Sequence, residues 1–259
     1  MGAGFAAVLG SLLLSGCASF RQPLPASAVA PVLDAVVELP VLWAAQARAG
    51  DARSSLRAVA RLGLEGPGGS GRAKQLVLVE RPARLRVEIL GLLDQRIAVL
   101  TTDGDEYQLF RAEDRSLTRG PVHAELLWDV AGLAVTPEQA VRLLLAAPAL
   151  PSQARLVGGV QRADGRTELE FRAPGAAESV RIDLDTAGRL VGWTRSGVDA
   201  EPLQRAQWSD YRMLGDEEFP FLLELEDLET GARAQVQFQS VELNPALSEE
   251  LFELQLGGR

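Results

Sequence analysis

The sequence predicts an α+β protein that is mainly antiparallel β, with a large curved sheet covered on one side by helices, or a partly open barrel. Three observations carry this. Apolar and polar residues alternate with period two in segment after segment: Leu56, Ala58, Ala60, Leu62 and Leu64 point one way, and Arg57, Arg61 and Glu65 the other, the pattern of a half-buried strand. Tight-turn signals such as Asp103-Gly104, Asp164-Gly165 and Thr230-Gly231 separate the segments, as antiparallel hairpins require. No strand-helix-strand rhythm recurs, so a parallel sheet is not expected.

Taken in order, Val32 to Ala49 is a helical candidate interrupted by Pro40. The strand "SLRAVARLGLE" follows, then "GPGGSG" from Gly66 to Gly71 as a turn with a permissive backbone. "KQLVLVE", "ARLRVEIL", "RIAVLTT" and "EYQLF" read as further strands. A helical insert then runs from His123 to Pro151. Its first short helix offers Leu126, Leu127, Trp128 and Val130. Thr136-Pro137-Glu138-Gln139 is a capping box with proline at the first helical position, opening a helix expected to reach about Ala147. Val141, Leu143, Leu144 and Leu145 form its apolar stripe. Strands resume with "ARLVGGVQ", "TELEFRA", "SVRIDLD", "RLVGWTR", "LQRAQWSDYRM", "FPFLLELED" and "ARAQVQFQSVEL", about a dozen in meander order.

Composition narrows the function. Apolar residues make up 47% of the 259 and charged residues 24%, an ordinary globular balance. A net charge of −9 would repel a phosphate backbone, so nucleic acid is not expected as a partner. One cysteine excludes an intramolecular disulfide and a cysteine-rich zinc site. The lone histidine, His123, reads as a helix-start surface residue. No nucleophile elbow, metal-binding histidine pair or phosphate-cradling loop is present: "GPGGSG" lacks the Lys-Ser/Thr ending, and "DLDTAG" lacks the later ligands of a calcium loop. Neither an enzyme nor a cofactor or metal is expected.

The first residues bear on location. Phe5 to Leu14 is an apolar run of ten, short of the roughly 20 residues of a membrane-crossing helix and suited to a signal-peptide core. "LSGC" at its end resembles the lipobox of bacterial lipoproteins. That resemblance implies a signal peptide over 1–16, acylation of Cys17, and a tether over 17–31 whose prolines disfavour regular structure. The remaining 32–259 form a single domain. Ala18, where an Asp would favour inner-membrane retention, implies the outer membrane, with the domain facing the periplasm.

The order of parts over roughly 32–256 is similar to the LolA/LolB superfamily of lipoprotein carriers, closest to its lipid-anchored branch. "LVERPARLRVEILG", "TTDGDEYQLF", "LLWDVAGLAVTPEQAVRLLLAAP", "LDTAGRLVGWT", "FPFLLELED" and "SEELFEL" carry the resemblance. It implies that the sheet forms a half-open β-barrel with a helical lid, over an apolar cavity for acyl chains of lipoproteins or lipids, with a membrane anchor at Cys17, a periplasmic LolA-like carrier as partner, and a monomer. Cavity-lining candidates are Leu85, Val87, Ile89, Ile97 and Val99 from strands, with Leu127, Trp128, Val141 and Leu144 from the lid. Arg81, before Pro82, matches an arginine that bonds the lid backbone in the soluble carrier. Leu93, with Leu92 beside it in "GLLDQ", matches a leucine that inserts into the membrane; Asp94 stands where that pattern has glycine. Two leucines at a hairpin tip are unusual on physical grounds alone, because tips are ordinarily polar. The function implied is receipt or insertion of lipoproteins at the outer membrane. The alternative is an anchored sensor or assembly partner of the same fold without cargo transfer.

Overall fold

A computed structural model describes residues 38–66, 69–147 and 150–254. Cys17 and the expected signal peptide and tether lie outside them. Thirteen strands form one antiparallel sheet. The first six are β1 (Ser55–Gly66), β2 (Gly69–Glu80), β3 (Arg84–Leu90), β4 (Arg96–Thr102), β5 (Glu106–Arg111) and β6 (Ser116–Pro121). The other seven are β7 (Arg155–Gln161), β8 (Thr167–Arg172), β9 (Ser179–Leu184), β10 (Leu190–Ser196), β11 (Pro202–Leu214), β12 (Glu217–Asp227) and β13 (Arg233–Leu243). The spatial order is β6-β5-β4-β3-β2-β1-β13-β12-β11-β10-β9-β8-β7. Two meanders therefore meet where β1 pairs with β13, Leu56 opposite Leu243 and Leu64 opposite Ala234. The sheet curls but does not close; β6 and β7 are its free edges, giving the open barrel that the alternation predicts.

Three helices lie on the inner face: α1 (Glu38–Ala52), α2 (Leu126–Ala131) and α3 (Pro137–Leu144). Pro40 does not interrupt α1, because it falls in the first turn, where backbone N–H groups have no helical partner. α1 packs on the half of the sheet formed by β7–β11. Leu39 fits against Gly159, where an added side chain would collide with it, and the Trp43 and Phe171 rings lie 4.6 Å apart. Phe171, Ile182, Trp193 and Trp208 complete a buried core there. β7 is irregular at this edge, with a bulge between Leu156 and Gly158.

α3 begins as expected. The Thr136 side chain accepts from the Gln139 N–H and the Gln139 side chain accepts from the Thr136 N–H. It ends at Leu144, short of Ala147: Ala146 takes a positive φ of 49°, and its N–H and that of Ala147 turn back to the Leu143 and Arg142 carbonyls. After the last strand, a 3-10 turn (Glu249–Phe252) crosses the outer face of β3–β5. There Thr101 donates to the Phe252 carbonyl at 2.6 Å and Arg86 to that of Leu251 at 2.8 Å.

An N-cap hydroxyl satisfies a helix donor that nothing else reaches. Thr136→Ala is expected to lower unfolding stability by about 1 kcal/mol, read from the denaturation midpoint with an unchanged slope.

Candidate functional site

Strand register places the inner-face side chains in rungs across β2–β5. One rung is Val79, Leu85, Thr102, Tyr107; the next is Val77, Val87, Leu100, Leu109; the third is Gln75, Ile89, Ala98, Arg111. The second and third rungs and Leu85 of the first, with Leu62, Leu223 and Val236 from the central strands, floor a cavity of about 230 Å³. The lid roofs it with Leu127, Val130 and Leu133 from α2 and the turn after it, and Ala140, Leu143 and Leu144 from α3. The cavity is continuous with a groove of about 690 Å³, sharing Leu62, Leu64, Ile89, Val130 and Leu133 with it and reaching Gly69–Gly71 and Trp128.

The groove marks one end of the sheet. Leu90 opposes Lys74 and Arg96, Arg111 opposes Ala98, and Glu65 opposes Arg233. The turns β1–β2, β3–β4, β5–β6 and β12–β13 therefore all project at that end, together with the opening of the cavity. Leu92 and Leu93 form the β3–β4 tip and are 102% and 88% exposed. The tip is built, not loose. Gly91 and Asp94 donate to the Gln95 and Gly91 carbonyls respectively, and the Gln95 side chain accepts from the Leu93 N–H. Asp94 adopts φ 58°, the left-handed conformation that glycine takes most easily, and Lys74 holds its carboxylate at 2.9 Å.

No protein-family model matches this sequence, and none of the curated proteins does. Solved structures do match. A LolA superfamily protein from Nitrosomonas europaea superposes with a TM-score of 0.55 at 14% identity, over 82% of this chain and 97% of that one. The fold is that of the LolA superfamily. An outer membrane lipoprotein-sorting protein domain from Vibrio parahaemolyticus superposes at 0.53 with 10% identity, over 82% and 94% of the two chains. A DUF1329 family protein from Desulfovibrio piger does so at 0.55 with 9% identity, over 83% and 97%.

Within this LolA-like barrel, Leu85, Val87, Ile89, Leu127 and Leu144 line the cavity. Val141 is fully buried under α3 and does not reach the cavity wall; Trp128, 40% exposed, borders the groove instead. Ile97 and Val99 do not face the cavity. On β4 the inner face belongs to Ala98 and Leu100, which oppose Ile89 and Val87, so the residues between them point outward. Ile97 is 44% exposed there, while Val99 is buried on the face that the C-terminal turn crosses.

Arg81 does not touch the lid. Its guanidinium donates to the Gly50 carbonyl at 2.7 Å and to Asp51 at 3.2 Å, tying β2 to the end of α1. The arginine on the lid is Arg53, at the start of β1 and 5% exposed. Its Nη1 donates to the Leu145 and Ala146 carbonyls at 3.2 and 3.1 Å, just past α3, where helix carbonyls have no helical donor. Its Nη2 donates to the Glu218 carbonyl at 3.1 Å, its Nε pairs with Glu217, and its cation lies 5.3 Å from the Phe219 ring centroid. Trp208 Nε1 donates to the Leu143 carbonyl at 3.1 Å. Gln204 donates to the Ala134 carbonyl between the lid helices, and to Asp227 at 3.4 Å. Burial alone would raise the Asp227 pKa, but hydrogen bonds from Thr230, Gln204 and Glu229 outweigh it and hold it below the usual carboxylate range. Among the described residues, no group of three or more His, Cys, Asp or Glu side chains could hold a metal ion.

Removing one partner of a buried charge network leaves the others unpaired, at about 3–5 kcal/mol. Arg53→Met is expected to destabilise the protein by about 3 kcal/mol and to speed amide hydrogen exchange at 145–147. Arg81→Ala, whose partner Asp51 is largely exposed, should cost at most about 1 kcal/mol and leave exchange in the lid unchanged.

Proposed function

We propose that this chain is a lipid-anchored envelope protein. It binds acyl chains in the apolar cavity under its lid, and receives or inserts lipoproteins at the outer membrane. The observation that carries the reading is the coincidence of the cavity opening and the exposed leucine tip at one end of the sheet. A chain leaving the cavity would emerge beside Leu92 and Leu93. Each methylene moved from water into such a site contributes about 0.8 kcal/mol, and an exposed leucine pair gains in the same way by entering a bilayer. A lipid on Cys17 would keep the domain near the membrane, and stable anchoring would take two or more chains. A LolA-like periplasmic carrier is the partner from which cargo would come. The apolar walls and the Vibrio structure's description as a lipoprotein-sorting domain support a binding role over a catalytic one.

Native mass spectrometry of the Cys17→Ala protein, extracted without detergent exchange, should show a co-purifying acyl lipid. Protein that is ligand-free and refuses added fatty acid would sink the carrier reading in favour of a sensor or assembly role. Leu93→Glu should lower lipoprotein release into liposomes about tenfold, as expected from withdrawing one apolar anchor, while acyl uptake is kept. Radiolabelled palmitate should mark the wild type and not Cys17→Ala.

A further inference from the structure

The cavity is not wholly apolar, and its polar groups are placed together. Gln75 and Arg111 lie in the same rung, the one nearest the opening, separated only by Ile89 and Ala98. Both line the cavity. Gln75 is 3% exposed, yet among the described residues its side-chain amide has no hydrogen-bond partner. Its polar atoms are not among the fully enclosed unsatisfied ones of the described residues, so they open onto the cavity, where a guest's polar group can meet them. Arg111, at the end of β5, is exposed to solvent at the cavity mouth and makes no ion pair among the described residues; Asp114 feels its charge only at longer range. Farther from the opening, the next rung is Val77, Val87, Leu100 and Leu109, entirely aliphatic.

The geometry points to an acyl lipid whose head group lies across the mouth, with a phosphate at Arg111 and an ester or amide carbonyl towards Gln75, and whose hydrocarbon runs inward over the aliphatic rung. Guanidinium suits phosphate because its paired N–H groups match two oxygens. The Gln75 amide can donate to a carbonyl that hydrocarbon cannot supply. Three strand spacings separate the two backbones, about 14 Å, and both residues line the cavity on either side of Ile89 and Ala98. This assignment rests on the acyl-binding part of the reading above, not on lipoprotein transfer, and adds to it a preference for the head group of a free lipid.

Three probes of equal chain length separate the two ideas: 1-palmitoyl-lysophosphatidate, monopalmitoylglycerol, which lacks the phosphate, and 1-hexadecyl-lysophosphatidate, which has an ether in place of the ester carbonyl. Their affinities are measured below micelle concentration by displacement of a fluorescent fatty acid. The palmitoyl phosphate should bind about tenfold more tightly than either analogue, the margin expected of one well-placed polar contact. Arg111→Gln should erase the preference over monopalmitoylglycerol while leaving monopalmitoylglycerol binding unchanged. Gln75→Leu should erase the preference over the ether. Equal binding of all three probes, with no response to either variant, would overturn the head-group assignment and leave acyl binding standing. Failure of every probe to bind would overturn acyl binding itself.

Discussion

The pairing of the first strand with the last governs the rest of this architecture. Because β1 lies beside β13, the chain's two meanders grow outward in opposite directions, and the mid-chain insert must travel from one free edge to the other. The short way is across the concave face. The lid is therefore a consequence of connectivity: α2 and α3 lie over the sheet because the chain has to return there to start β7. Arg53 completes the device from the base of β1, where one guanidinium satisfies carbonyls after α3 and on β12 while pairing with Glu217.

The two halves of the concave face are finished differently. Over β7–β11, α1 brings Trp43 onto Phe171, and large rings such as Trp193 and Trp208 fill the remaining space. Over β2–β5 the residues around the cavity are mostly aliphatic, with Gln75 and Arg111 at its mouth, and the helices above add more aliphatic side chains. Small aliphatic side chains from two facing layers do not meet across such a width, so space remains between them. The aromatic plug on one side gives the rigidity that lets the other side stay hollow, since a packed core resists collapse into the gap.

Much of this was legible in the sequence, and the failures have physical causes. Alternation and turn residues located every strand except β6, whose "SLTRGP" has little apolar content because it is a short edge. Capping chemistry placed α3 to the residue at its start, but its end depends on Arg53, a tertiary partner 92 residues from Leu145. "RIAVLTT" is apolar at both parities, so only its register against Leu85, Val87 and Ile89 shows that Ala98 and Leu100 face inward. Gln75 was hidden in "KQLVLVE", where a single polar residue resembles the solvent face of any strand; its parity with Val77 was the available signal. Arg53 and Arg81 illustrate the limit of motif matching. Two arginines flank the same corner of the fold, and distance alone decides which one holds the lid.

An unclosed barrel also inherits a hazard that a closed one lacks. β6 and β7 each present a row of main-chain groups to whatever strand drifts past, which invites edge-to-edge addition and, in a crowded compartment, aggregation. The protein blunts both borders by different means. β6 is short, carries Arg119 and ends on Pro121, which has no N–H to offer. β7 is kinked by its bulge and roofed by Leu39 over Gly159. That openness thus comes with guarded seams, and α1 acts as a border patrol as much as a plug.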